Sequence, residues 1–153
     1  MEENLSLKAF VVLMKASKSV TDHVKKDINR YNMKTTDFAV LEALYHKGSL
    51  TVKQISEAVL INSGSMTYVI DKLESKGLTE RRACSDDRRV VYIHITEKGT
   101  ELMDNIFPQH QEAIEEIFQD ITDEEKRTVI DIMKQLGKTQ TSEKELRNRE
   151  GDL

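Results

Sequence analysis

The chain of 153 residues has one cysteine, one proline and no tryptophan. A single cysteine excludes an internal disulfide framework. One proline and six glycines leave few places to break a helix, so helices should dominate. No apolar run approaches the ~18 residues of a membrane-spanning helix. The opening "MEENLSLKAF" has no basic leader followed by an apolar stretch, so the sequence predicts no secretion signal. Catalytic sets are also missing. "NSGS" follows no strand, so it is no nucleophile elbow. The histidines His23, His46, His94 and His110 form no HxxxH and no Cys/His pair at ligand spacing. These absences predict a cytosolic chain that is no enzyme and carries no metal or cofactor.

Charge is plentiful, at 33% of residues, and the net value is −4. Its distribution is uneven. Residues 1–46 hold 7 basic and 6 acidic groups, residues 47–98 hold 9 and 7, and residues 99–153 hold 7 and 14. The acidity therefore belongs to the C-terminal third. The middle is mildly positive, and its arginines fall in two pairs, Arg81–Arg82 and Arg88–Arg89.

Hydrophobic spacing gives the elements. Leu7, Phe10, Val11, Met14, Val20, Val24 and Ile28 recur at helical intervals, with the stretch from Phe10 to Met14 apolar nearly all round. Thr35 or Thr36 can cap a second helix, "DFAVLEALYHKG", which stops at Gly48. Thr51 with Gln54 forms a capping box ahead of "VKQISEAV". After the break "INSGS", the segment "SMTYVIDKLESKG" turns Met66, Val69, Ile70 and Leu73 inward. Two short helices joined in this way make a helix-turn-helix. The period then changes to 2. "LTERRAC" and "VVYIHIT" read as strands joined by "SDDRR", with Val91, Ile93 and Ile95 on one face. Thr96 can cap a long amphipathic helix in which Pro108 should cause a kink or a split. Thr122 with Glu125 forms a second capping box before the last helix.

The predicted fold is mainly α with a small β-hairpin wing, a winged helix-turn-helix flanked by N- and C-terminal dimerisation helices. Its expected organisation is a dimerisation helix over 1–34, the DNA-binding domain over 35–98, C-terminal dimerisation helices over 99–140 and a polar tail over 141–153. So small a module cannot bury the apolar faces of both arms, and a second copy of the chain can.

The ordered set "LTVKQISEAVLINSGSMTYVIDKLESKGLTERR", "DRR" and "YIHITEKG" resembles the winged helix of the MarR family of bacterial transcriptional regulators. The flanking helices extend the resemblance over nearly the whole chain. Within the family, "DFAVLEALYHKG" and "ACSDDRRVVYIHITEKG" are similar to the branch of repressors that respond to quinones and hydroquinones. The resemblance implies a homodimer on a pseudo-palindromic double-stranded operator, and a cleft for a small aromatic effector.

In such a module the second helix of the motif enters the major groove by its N-terminal end. Its outward residues are Ser63, Ser65, Thr67, Tyr68 and Lys72, with Gly64 allowing close approach of the backbone to a phosphate. Arg89 matches the family's minor-groove arginine, Asp87 would hold it, and Arg88 could reach a phosphate or pair with Asp86. Arg81 and Arg82 alternate along a strand, and Arg82 is chosen as the DNA-facing member. The plainer alternative is a solvated helix face and a turn laced with surface ion pairs. That would suit a winged-helix protein-interaction or scaffold module without DNA binding. For the effector, Phe10, Met14, His23, Tyr31, Phe38, Tyr45 and His110 could line a cleft for an aromatic ring, although the same residues could be dimer core. Cys84 reads first as a half-buried spectator. Its neighbours Arg81, Arg82 and Arg88 would favour the thiolate if it were exposed, which makes it the candidate redox residue.

Overall fold

The computed structural model describes residues 2–59 and 65–151, with side chains described through residue 138. Along the described chain run α1 (Leu5–Asn29), α2 (Thr35–Lys47), α3 (Val52–Ala58), α4 (Met66–Ser75), β1 (Thr79–Ala83), β2 (Val91–Ile95), α5 (Glu97–Ile117) and α6 (Asp123–Gly151). This is the mainly helical winged architecture that the periodicity predicts. Two compact units divide it, Met1–Glu115 and Glu116–Leu153.

Helix α2 is the centre of the first unit. It buries residues on several sides: Asp37, Phe38, Val40, Leu41, Ala43 and Leu44. A helix apolar around most of its circumference must be surrounded. The side chains that surround it are Ile28 of α1, Ile55 of α3, Ile70 and Leu73 of α4, Ile93 of β2 and Met103 of α5. Each such side chain stabilises the fold by about 1.5–3 kcal/mol through removal from water. The sequence places the α2 cap at Thr35 or Thr36. The cap is instead Lys34, which makes no side-chain capping bond. Helical dihedrals already begin at Thr35, so neither hydroxyl stands at the capping position. The predicted box on α3 is present, with Gln54 N donating to Thr51 Oγ1 at 3.2 Å and Thr51 N donating to Gln54 Oε1 at 2.9 Å.

Helix α4 turns Met66, Val69, Ile70 and Leu73 into the core, as their spacing predicts. Gly77 ends it in the left-handed region, φ 74°, where a side chain is disfavoured. The hairpin pairs antiparallel from Thr79↔Ile95 to Ala83↔Val91. Ile93 is fully buried, and its backbone also exchanges bonds of 2.7 and 3.2 Å with Leu50, tying the wing to the turn before α3. Val91, on the same face but at the tip, is exposed.

The junction from wing to α5 is tight. Thr96 Oγ1 donates to Gly77 O at 2.6 Å and accepts from Gly99 N at 3.1 Å, so Thr96 caps α5 as expected. A Cβ on Gly99 would lie 2.3 Å from the Leu78 carbonyl oxygen and 2.8 Å from Ile95 Cγ1. The first contact is backbone and cannot swing away. Gly99→Ala should therefore cost roughly 3 kcal/mol, at the upper end of overpacking effects. Equilibrium urea unfolding would measure it, and an unchanged midpoint would refute the clash.

Pro108 neither splits nor ends α5, which is continuous through it. Proline removes one N–H from the ladder. One residue on, Gln109 Nε2 adds a 3.3 Å bond to the Asn105 carbonyl.

The second unit is mostly α6. Its capping box is formed, with Thr122 N donating to Glu125 Oε1 at 3.0 Å and Glu125 N donating to Thr122 Oγ1 at 3.2 Å. The backbone stays helical to Gly151, over the stretch expected to be a polar tail. Its run of Glu, Lys, Arg and Leu has good helix propensity despite its polarity. Val129, Ile130, Ile132, Met133 and Leu136 of α6 are exposed, as are Leu5, Leu7, Phe10, Val11, Val12 and Met14 of α1 in the first unit.

Candidate nucleic-acid interface and ligand cavity

Burial of four apolar residues on one side of α4 fixes what its other side presents. Thr67, Tyr68 and Asp71 are exposed, with Tyr68 67% accessible. Ser65 is the N-cap, and its Oγ accepts from Tyr68 N at 3.5 Å. Ser63 and Gly64 lie outside the described residues.

Lys72 requires a correction. Its ammonium does not point outward. It meets Asp37 Oδ2 of α2 at 2.7 Å, with side-chain exposures of 23% for the lysine and 4% for the aspartate. Asp37 is buried, and the nearest cation able to balance it is on the neighbouring helix. Position on the α4 surface did not reveal this, because the partner is 35 residues away in sequence.

The wing tip is organised by Asp87. Its Oδ1 accepts from the backbone N of Arg89 at 3.0 Å, an Asx turn. The same carboxylate takes Arg89 Nε at 3.1 Å and Nη2 at 3.4 Å. These bonds hold the Asp87 carboxyl below its ordinary value. The Arg89 side chain is nevertheless 91% exposed, so it is oriented without being covered. Arg88 is also exposed. In β1 the two arginines separate as strand alternation requires. Arg81 turns back to Asp71 and Glu74 of α4, and Arg82 pairs with Glu80 at the surface. The α4 acids are what draw Arg81 back along the surface to α4, a link the strand pattern alone did not show. Cys84 is half-buried, and its N donates to Val90 O at 2.8 Å. On β2, His94 Nδ1 lies 2.5 Å from Ser49 Oγ, another tie between the wing and the turn before α3.

A cavity of about 620 Å³ opens in the first unit between α1, α2 and α5. Val24, Phe38, Ala39 and Ile114 are among its apolar lining, with Thr21, Thr35, Glu42 and His110 as polar members. His46 and Lys47, also lining it, are exposed. Of the residues expected around a ligand, Phe38 and His110 line this space, with ring centroids 4.6 Å apart. Tyr31 stands behind His110, joined through Asp27. Phe10, Met14 and His23 are exposed on α1, and His23 Nδ1 lies 2.8 Å from Ser19 O. Tyr45 packs edge-on to His46 and bonds Asp104. Tyr31 and these four are not part of the cavity wall in the single chain.

Asp27 is the buried centre behind the cavity, only 5% exposed. Arg30 Nη2 at 2.5 Å and Tyr31 OH at 2.8 Å both donate to its Oδ1, and His110 Nδ1 lies 2.9 Å from Oδ2. Burial pushes this carboxyl up, but the bonds from Arg30, His110 and Tyr31 together hold it below 3.8. Spacings of three and four residues make the local part of this cluster readable in sequence. The partner 83 residues away is not. A carboxyl depressed in the folded state stabilises the fold above its unfolded value, and that contribution is lost as pH falls through the folded one. The stability gap between the protein and Asp27→Asn should therefore shrink as pH falls below about 4. Urea titrations between about pH 3 and pH 5 would show it, and a gap that widens below about pH 4 would reverse the assignment.

A helix-turn-helix whose second helix exposes a polar face, beside a hairpin carrying a preset arginine, defines a winged-helix DNA-binding transcriptional regulator. Comparison with known proteins specifies which. The sequence profile of the MarR family matches residues 33–91. The HTH-type transcriptional regulator MhqR of Bacillus subtilis is 46% identical over 132 residues, which span 86% of this chain and 91% of that one. The chain belongs to the MarR family. Among solved structures, Sco3205 of Streptomyces coelicolor, a MarR regulator in complex with DNA, has the same fold with a TM-score of 0.79. Its sequence identity is 19%, with 91% of this chain and 93% of that one covered. BpsR of Bordetella bronchiseptica, whose DNA binding is regulated by 6-hydroxynicotinic acid, aligns with a TM-score of 0.75 at 19% identity, covering 90% and 98%. Members of this family regulate transcription by binding DNA and are not enzymes. Among the described residues no helix is long and apolar enough to cross a membrane.

Proposed function

We propose that two copies of this chain bind an inverted-repeat operator and repress transcription until a small aromatic effector, phenolic or quinone-like, enters the cavity and releases the DNA. The observation that carries this reading is the double duty of α2. Its Phe38 walls the cavity, and the adjacent Asp37 holds Lys72 of the recognition helix. A ligand that shifts Phe38 acts on the anchor of α4. Such an effect requires different affinities for the two positions of α2.

In this reading Ser65, Thr67 and Tyr68 read the major groove, together with Ser63 and Gly64. Arg89 enters the minor groove, Asp87 aims it, and Arg82 and Arg88 contact the backbone. The exposed apolar residues of α1, and separately those of α6, exceed what a monomer ordinarily leaves in water, and a second copy is the simplest cover. BpsR and its hydroxylated ring effector support a ligand of that general kind, as does the resemblance to quinone-responsive repressors.

Selection of bound sequences from random DNA tests the first half. Enrichment of an inverted repeat with half-sites about one helical turn apart is expected. Unrelated or unpaired sequences would overturn it. Band shifts on the selected site with a panel of phenols and quinones test the second half, and an operator complex indifferent to all of them would remove the effector.

A further inference from the structure

We propose that Asp27 is a positioning residue that fixes the proton of His110 on Nδ1, so that the cavity accepts an uncharged aromatic ligand through its hydroxyl hydrogen. This rests on the reading of the cavity as the effector site. The logic begins at Asp27. A carboxylate can only accept hydrogen bonds, so the ring nitrogen facing Oδ2 at 2.9 Å must be the one that carries hydrogen. Oδ1 is already engaged by Arg30 and Tyr31, which prevents the carboxylate from turning to another arrangement. His110 is 7% exposed and is held between Phe38 and Phe107, with centroids at 4.6 and 6.1 Å.

With Nδ1 committed, Nε2 is the ring nitrogen left for an occupant of the cavity, and in the neutral ring it is an acceptor. The half-buried Glu42 carboxylate in the same wall also only accepts. The wall also holds groups that can donate, the Thr21 and Thr35 hydroxyls and the exposed His46 and Lys47, so the selection is made at Nε2 of the buried His110 alone. There a phenol or dihydroxybenzene brings a donor. An ether or a quinone of the same shape placed at Nε2 offers oxygen lone pairs to a lone pair.

A matched pair of probes decides this. 2-Naphthol and 2-methoxynaphthalene share a ring system and differ in the hydroxyl hydrogen. Calorimetric titration of the full chain should show the naphthol binding about tenfold more tightly, the size of one hydrogen bond with its buried acceptor otherwise unsatisfied. Ala39→Phe, which fills the cavity, should abolish both. In Asp27→Asn the amide oxygen must stay with the two donors Arg30 and Tyr31. Its NH2 then faces Nδ1 and drives the ring proton to Nε2. The preference should invert, the ether binding more tightly than the naphthol.

The tautomer can be read without any ligand from the nitrogen-15 shifts of the His110 ring in the unaltered protein, so the question does not depend on the variant folding. Protonated Nδ1 with unprotonated Nε2 is expected. The reverse tautomer, or a ring protonated on both nitrogens at neutral pH, overturns the proposal. Equal binding of both probes with loss of both in Ala39→Phe overturns the selectivity while leaving the cavity as a ligand site. Binding of neither probe overturns the cavity reading and this inference together.

Discussion

Arg89→Ala is expected to weaken operator binding by roughly tenfold to a hundredfold, the range for one well-placed groove contact. Thermal stability and self-association should not change, because the side chain is 91% exposed and its ion pair is with Asp87, two residues away. The companion variant separates two explanations. If the wing acts through bulk charge, Asp87→Ala removes a negative group near DNA and should strengthen binding. If Asp87 acts by orientation, its loss releases both the backbone turn and the guanidinium, bonded at 3.0 and 3.1 Å, and binding should weaken. We expect weakening, by less than in Arg89→Ala, in a fluorescence-anisotropy titration at fixed salt. Stronger binding by Asp87→Ala would reduce the wing to a charged bump.

The parts of this molecule that were readable in sequence are those set by local periodicity. The inward face of α4, the alternation around Ile93, the boxes at Thr51 and Thr122 and the Thr96 cap all depend on neighbours within four residues. So does the tie between Asp87 and Arg89. What stayed hidden is long-range pairing of polar groups. Lys72 with Asp37, Arg81 with Asp71 and Glu74, and His110 with Asp27 each join different elements. A charged residue on an amphipathic helix looks solvent-facing unless its partner is known, and periodicity carries no information about the partner. The cavity was legible only in small part for the same reason. Of the seven residues expected around a ligand, Phe38 and His110 line it, and Glu42, Ala39 and Val24 take their role only from how three helices meet.

Lys72 shows how far the distinction matters, because its two readings predict opposite experiments. As a phosphate contact, Lys72→Ala would leave stability unchanged and lower the slope of log affinity against log salt by about 1. As the partner of a carboxylate only 4% exposed, it does the reverse. Truncation strands Asp37 without a counter-charge, a defect that costs about 3–5 kcal/mol when both groups are fully buried. Lys72 retains 23% exposure, so water can partly replace it, and a loss of roughly 2–4 kcal/mol in urea unfolding at fixed protein concentration is the expected result. The salt slope should stay as it was. Replacing both members, Asp37→Leu with Lys72→Met, removes the stranded charge and should recover most of the stability, since an apolar pair is often as stable as a buried ionic one. That double variant then separates stability from coupling. α4 would be packed against α2 without the ionic link between them. If operator affinity survives and its response to a phenolic ligand fades, the bond between Asp37 and Lys72 carries the signal from cavity to recognition helix. If the response persists unchanged, packing around Phe38 and Ile70 is sufficient to carry it.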